Sequence, residues 1–93
     1  VDDFFLILRA ILKRSKKQNS IKPMEIKNDL DKVRLSNGRV FNKKTHAYKV
    51  HLAFFVLVEE GLLKKVRKGK YAMKKKREEL EKWVKELKGK TEN

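Results

Sequence analysis

Residues 45–71 read THAYKVHLAFFVLVEEGLLKKVRKGKY, and their apolar period changes at Gly61. Between Lys43 and Glu60 there is no Pro or Gly. The spacing predicts a helix over 43–60, with Asn42 as its N-cap and Gly61 as its stop. Ala47, Val50, Phe54, Leu57 and Val58 then share one face about 100° wide. From Leu52 to Val58 the helix is apolar all round, which requires its C-terminal half to be enclosed. Lys43, Lys44, Thr45, Tyr48 and Lys49 gather at the other end, mostly off the apolar face. Past Gly61, Leu62 to Arg67 and Lys70 to Met73 predict two short strands around the basic turn Lys68-Gly69. That is a hairpin.

Upstream lies a connector, Leu35 to Asn42. Its Asn37-Gly38 pair tolerates positive φ, and the flanking Leu35, Val40 and Phe41 predict a very small hairpin. Pro23 suits the first position of a helix over about 23–33, with Met24, Ile26, Leu30 and Val33 as its apolar positions. Gln18-Asn19-Ser20 reads as a turn. The first helix opens on Asp2-Asp3 and closes on Lys13, Arg14, Lys16 and Lys17, signs that suit its two dipole ends. Phe4, Leu8, Ile11 and Leu12 line one face of it. Phe5 and Leu6 fall off that face and call for a second apolar neighbour. Downstream, Lys74 to Lys88 predicts a charged helix striped with Leu80, Trp83, Val84 and Leu87, ended by Gly89, with residues 90–93 as a flexible tail.

A chain of 93 residues is one small domain. Its 26 Lys and Arg against 12 Asp and Glu leave a net charge of +14, while 40% hydrophobic residues supply the core that a disordered basic tail lacks. The absence of Cys excludes disulfides, thiolate zinc sites and a Cys nucleophile. The apolar runs at 4–8 and 52–58 fall short of the roughly 20 residues of a membrane span. Asp2-Asp3 stands where a signal peptide carries positive charge, so a soluble, cytoplasmic protein without membrane contact is expected. Residues 1–42 hold ten basic and five acidic side chains (net +5), residues 43–77 twelve and two (net +10), and residues 78–93 four and five (net −1). Charge concentrated in this way on a folded segment points to a polyanionic partner.

The order helix, helix, basic-ended helix, Gly, basic hairpin resembles a winged helix-turn-helix domain. The likeness rests on residues 45–71, with Leu57 and Phe54 four and seven before Gly61, and on Lys22-Pro23-Met24-Glu25-Ile26 as the start of a second helix. It covers about residues 2–75. The added C-terminal helix resembles that of small archaeal and archaeal-virus regulators, where such helices often pair two chains. The fold implied is α+β, mainly α with a small β-hairpin: a three-helix core and wing over 1–75, then a possible dimerisation helix over 76–89. The connector Arg34–Asn42 is longer than the three or four residues of a tight helix-turn-helix.

That resemblance implies double-stranded DNA as the partner and transcription regulation as the role, with the third helix in the major groove. Lys43, Lys44, Thr45, His46, Tyr48 and Lys49 are the expected contacts from the helix, and Arg67, Lys68 and Lys70 those from the wing. Lys lacks a bidentate fork, so these residues are expected to position the protein more than to select sequence. A homodimer is expected, through Phe5, Leu80, Trp83, Val84 and Leu87, with Leu52, Phe55 and Val56 as further apolar candidates. His46 and His51 differ by about 140° around a helix and cannot share a ligand face. The four glycines are isolated and form no phosphate loop, and Glu78, Glu79 and Glu81 alternate with Lys82 and Lys85 as intrahelical partners. No enzyme, cofactor, metal or small-molecule ligand is expected. The alternative is a winged-helix protein-interaction module in a replication, transcription or RNA-processing assembly; RNA binding ranks third, since Tyr48 and Tyr71 are few for a stacking platform.

Overall fold

The chain folds as α1 (Asp2–Ser15), β1 (Ser20–Ile21), α2 (Pro23–Leu30), α3 (Ala47–Glu59), β2 (Leu63–Arg67), β3 (Lys70–Met73) and α4 (Arg77–Glu92) in a computed structural model that describes residues 2–92. It is an α+β fold of four helices and one antiparallel sheet with strand order β1-β3-β2 among the described residues. The strand β1 falls where a turn was expected. Two residues carry no legible strand period, and Ser20 and Ile21 are extended because Ala72 and Tyr71 of β3 pair with them.

Four residues of α3, Val50, Ala53, Phe54 and Leu57, lose all contact with solvent. They meet Leu8 and Ile11 of α1, Ile26 of α2, and Leu62 and Leu63 at the start of the hairpin in one core. Gly61 sits at φ 75°, and the Leu62 N–H donates to the Leu57 carbonyl at 2.9 Å, so the chain leaves α3 through a left-handed residue and enters β2 directly. The Phe54 ring rests on Tyr71 of β3, with centroids 4.7 Å apart.

Helix α2 is shorter than expected. It ends at Leu30, because Lys32 adopts φ 69° and its N–H turns to the Phe41 carbonyl at 2.8 Å. The connector then folds back as the small hairpin its sequence predicts: Arg34 bridges Val40, and Leu35 donates to the Arg39 carbonyl at 2.7 Å. Leu35 and Phe41 anchor it in the core.

The second neighbour that α1 requires is α4 of the same chain. Phe5 lies with Val84 along the α1–α4 seam, Leu80 is fully buried, and Arg77 Nε donates to the Leu12 carbonyl at 3.2 Å. Helix α4 runs through Gly89 to Glu92 rather than ending there, with the Thr91 hydroxyl donating to the Lys88 carbonyl at 3.1 Å. Residues 90–92 are therefore helical, and Asn93 lies outside the described residues. Among the described residues no helix is long and apolar enough to cross a membrane.

Because Phe41 is core and Val40 beside it is exposed, Phe41→Ala is expected to cost about 3–5 kcal/mol and Val40→Ala less than about 0.5. Denaturant unfolding of the two variants measures this directly.

Candidate nucleic-acid interface

The β2–β3 hairpin turns at Lys68-Gly69, where Gly69 takes φ 78°, and its register slips between Lys65 and Arg67. Only Leu63 of β2 is buried; Lys64, Lys65, Val66 and Arg67 all face water. The pairing of β1 with the opposite edge of β3 brings the start of α2 alongside this tip. Between them lies a groove of about 440 Å³ lined by Lys22, Pro23, Met24, Lys27, His51, Arg67, Lys68 and Gly69. No carboxylate lines it. Lys27 Nζ stands 3.4 Å from His51 Nε2. Partial burial, reinforced by the Lys27 ammonium, holds the His51 imidazole below its ordinary pKa.

Residues 42–46 were expected to begin the third helix. They form a separate turn instead, and α3 starts at Ala47. The Asn42 carboxamide oxygen accepts the Lys44 and Thr45 N–H groups at 2.8 and 3.0 Å, while the backbone N–H of Asn42 donates to His46 Nδ1 at 2.8 Å. The His46 ring also leans on Phe41. Asn42 thus caps the turn rather than the helix. Lys43, Lys44 and Thr45 project from it, exposed, and Asp31 accepts the Lys43 N–H at 3.3 Å.

Lys49 does not join them. Its ammonium lies 3.1 Å from the Asp3 carboxylate, both partly buried, and so ties α3 to the first turn of α1. Burial would raise the Asp3 pKa, but the Lys49 hydrogen bond and charge, with hydrogen bonds from Ser36, outweigh it and hold the carboxyl below its usual range. The outward face of α3 is formed by Tyr48, His51, Leu52, Phe55 and Glu59. Tyr48, Leu52 and Phe55 are 64, 55 and 59% exposed, although the sequence called for the helix to be enclosed from Leu52 onwards.

None of the acids that form ion pairs lines the groove, although Glu25 accepts the Lys22 N–H beside it at 2.9 Å. Arg14 grips Asp29 with two hydrogen bonds of 2.7 Å and reaches Glu25 at 3.3 Å, joining α1 to α2, and Glu81 pairs with Arg77 and Lys85. Among the described residues none of Lys22, Lys27, Lys43, Lys44, Lys64, Lys65, Arg67, Lys68 or Lys70 forms an ion pair.

Arg67, Lys68, Lys43, Lys44, Thr45 and Tyr48 are therefore exposed as expected, Lys70 and His46 half-buried, and Lys49 occupied elsewhere. Of the residues expected at a homodimer interface, Phe5, Leu80 and Val84 are interior to the single chain, and Trp83 and Leu87 pack against the same core. A second copy reaches the first three only if α4 lifts off α1. Sequence reasoning missed Lys22, Lys27 and the groove side of His51. Lys27 and His51 are 24 residues apart and meet only through the packing of α2 on α3. No protein-family model, curated protein or solved structure matches the chain.

The Arg14 fork holds the Asp29 carboxyl below its ordinary pKa of 3.8, against an opposing desolvation effect. A depressed carboxyl stabilises the fold above its unfolded pKa, and that stability is lost as pH falls through the folded value. Urea unfolding between about pH 5 and 2 is expected to show Asp29→Asn losing less stability on acidification than the parent.

Proposed function

We propose that the protein is a winged helix-turn-helix module that binds double-stranded DNA, most naturally as a transcription regulator or an architectural protein. The observation that carries this reading is the cationic groove between the first turn of α2, His51 and the hairpin tip, with no carboxylate in its lining. Such an open, positively charged surface suits a phosphate backbone, which it attracts along its length. Support also comes from the order α1-β1-α2-α3-β2-β3, in which β1 closes the sheet and sets the wing beside α2. On this reading α3 is the recognition helix, the turn 43–45 reaches its flanking phosphates, and Arg67 and Lys68 of the wing grip the neighbouring backbone or minor groove.

The balance of contacts favours the backbone. Lys49 is held by Asp3, and the exposed face of α3 offers only the Tyr48 hydroxyl and the His51 imidazole as polar groups before Glu59. Affinity is then mostly electrostatic and sequence selection modest. A second reading, docking on another protein, draws on the exposed Leu52 and Phe55. It requires no duplex binding at all.

Six phosphate contacts give a slope of log affinity on log salt near −5. Arg67→Ala and Lys68→Ala are each expected to reduce that slope by about 1. Lys49→Ala is expected to leave the slope unchanged and to lower unfolding free energy by about 0.5–1 kcal/mol, as a screened ion pair does. Fluorescence anisotropy on a 20-base-pair duplex, with parallel denaturant melts, separates the two effects. If the wing variants bind with unaltered affinity and slope, the proposed docking is wrong.

His51 adds a pH dependence to binding. Its free-state pKa is depressed, so it is neutral at pH 7; an adjacent phosphate favours the imidazolium, and binding takes up a proton. Affinity is expected to rise as pH falls from 8 to 6, and His51→Gln to flatten that rise.

A further inference from the structure

Taking α3 as the groove-facing helix proposed above, we infer that Leu52 and Phe55 read the C5-methyl groups of thymine, making them the specificity-determining residues of the protein. In the major groove each base pair shows donors and acceptors, and thymine alone among the four standard bases adds an apolar group. Residues that read the polar pattern do so with forked side chains, Arg on guanine and Asn or Gln on adenine. Helix α3 carries no Arg, Asn or Gln. Its single Lys, Lys49, is turned inward to Asp3.

What α3 presents instead is apolar. Leu52 and Phe55 are more than half exposed on the same face as Tyr48, with no neighbouring element laid over them. At 1.5 Å per residue they stand about 4.5 Å apart along the axis, close to the ~3.4 Å step between base pairs. Two methyls on adjacent A·T pairs therefore match their spacing. Leu52 lies about 7.5 Å and Phe55 about 12 Å from the start of the helix, within the length a helix lays along a groove.

Charge orients the helix for this contact. Lys43 and Lys44 precede its N-terminus, whereas Glu59 and Glu60 close its C-terminus. Phosphates attract the first end and repel the second, an asymmetry the helix dipole reinforces. Leu52 and Phe55 follow Thr45 and Tyr48 inward from the attracted end. Sites rich in adjacent A·T pairs are selected by apolar contact, without a single bidentate hydrogen bond from α3.

The test removes the methyl and nothing else. Binding of the full chain is measured by anisotropy on a 20-base-pair alternating dA·dT duplex and on the same duplex with deoxyuridine in place of thymidine. One buried methyl is worth about fourfold in affinity, so the parent is expected to bind the thymine duplex about four- to sixteenfold more tightly. Leu52→Ala/Phe55→Ala, whose folding is checked by circular dichroism, is expected to bring that ratio below about twofold. Equal binding of the two duplexes by the parent overturns the inference and leaves duplex binding intact. A ratio that survives in the double variant overturns the assignment to these residues. Failure of the folded parent to bind either duplex overturns the functional reading and the inference together. Sedimentation supplies the remaining control: a dimer that the double variant dissociates, with the ratio unmoved, assigns the stripe to a second copy.

Discussion

The antiparallel pairing of Ser20-Ile21 with Tyr71-Ala72 joins the helical layer to the hairpin, and the geometry of the basic face follows from it. Ile21 is fully buried, so the pairing is anchored by the core as well as by the ladder. With β1 in place, α2 must start at Pro23 beside the outer strand pair, and the Glu25 carboxylate accepts the Lys22 N–H at 2.9 Å to settle that first turn. Lys22 and Lys27 are thereby held opposite Arg67 and Lys68 across one groove. Without β1 the hairpin would be held by Leu62, Leu63 and the contact of Tyr71 with Phe54, none of which ties its tip to α2.

Electrostatics sorts the remaining charges. Cations that serve the fold are paired with acids: Arg14 with Asp29 and Glu25, Lys49 with Asp3, Arg77 with Glu81. Each pair joins two helices or two turns of one helix. Among the described residues, none of the cations that line the groove forms an ion pair. Mutual repulsion among these unpaired cations destabilises the compact state, a cost that an approaching polyanion relieves by bringing counter-charge.

Helix α3 serves the core and the surface on opposite faces. Val50, Ala53, Phe54 and Leu57 are buried by α1, α2 and the hairpin, while Tyr48, Leu52 and Phe55 on the far side are more than half exposed. Helix α4 lies on α1, where Phe5, Leu80 and Val84 close the seam. With α4 on that seam, the outward face of α3 stays exposed.

Much of this was legible in the residues themselves. The apolar spacing of residues 47–58, the punctuation at Gly61 and the alternation after it specified α3 and the hairpin, because period and glycine placement are local properties. Asn37-Gly38 likewise announced the connector's small turn, and Leu35 and Phe41 its anchors. The distribution of charge, +10 over residues 43–77, needed only counting. What sequence could not supply were partnerships between distant residues. A two-residue strand has no period to detect, Lys49 looks like its lysine neighbours until Asp3 lies beside it, and an apolar helix stripe does not say whether it is covered by its own chain or by another. Those choices depend on which surfaces meet in three dimensions: α4 on α1, β1 on β3, α2 against His51. The sequence determined the four helices, the hairpin and the sign of the surface; tertiary packing decided the pairing of β1, which cations remain unpaired and which apolar face stays open, since all three depend on contacts between distant residues, such as Leu12 and Arg77, 65 apart.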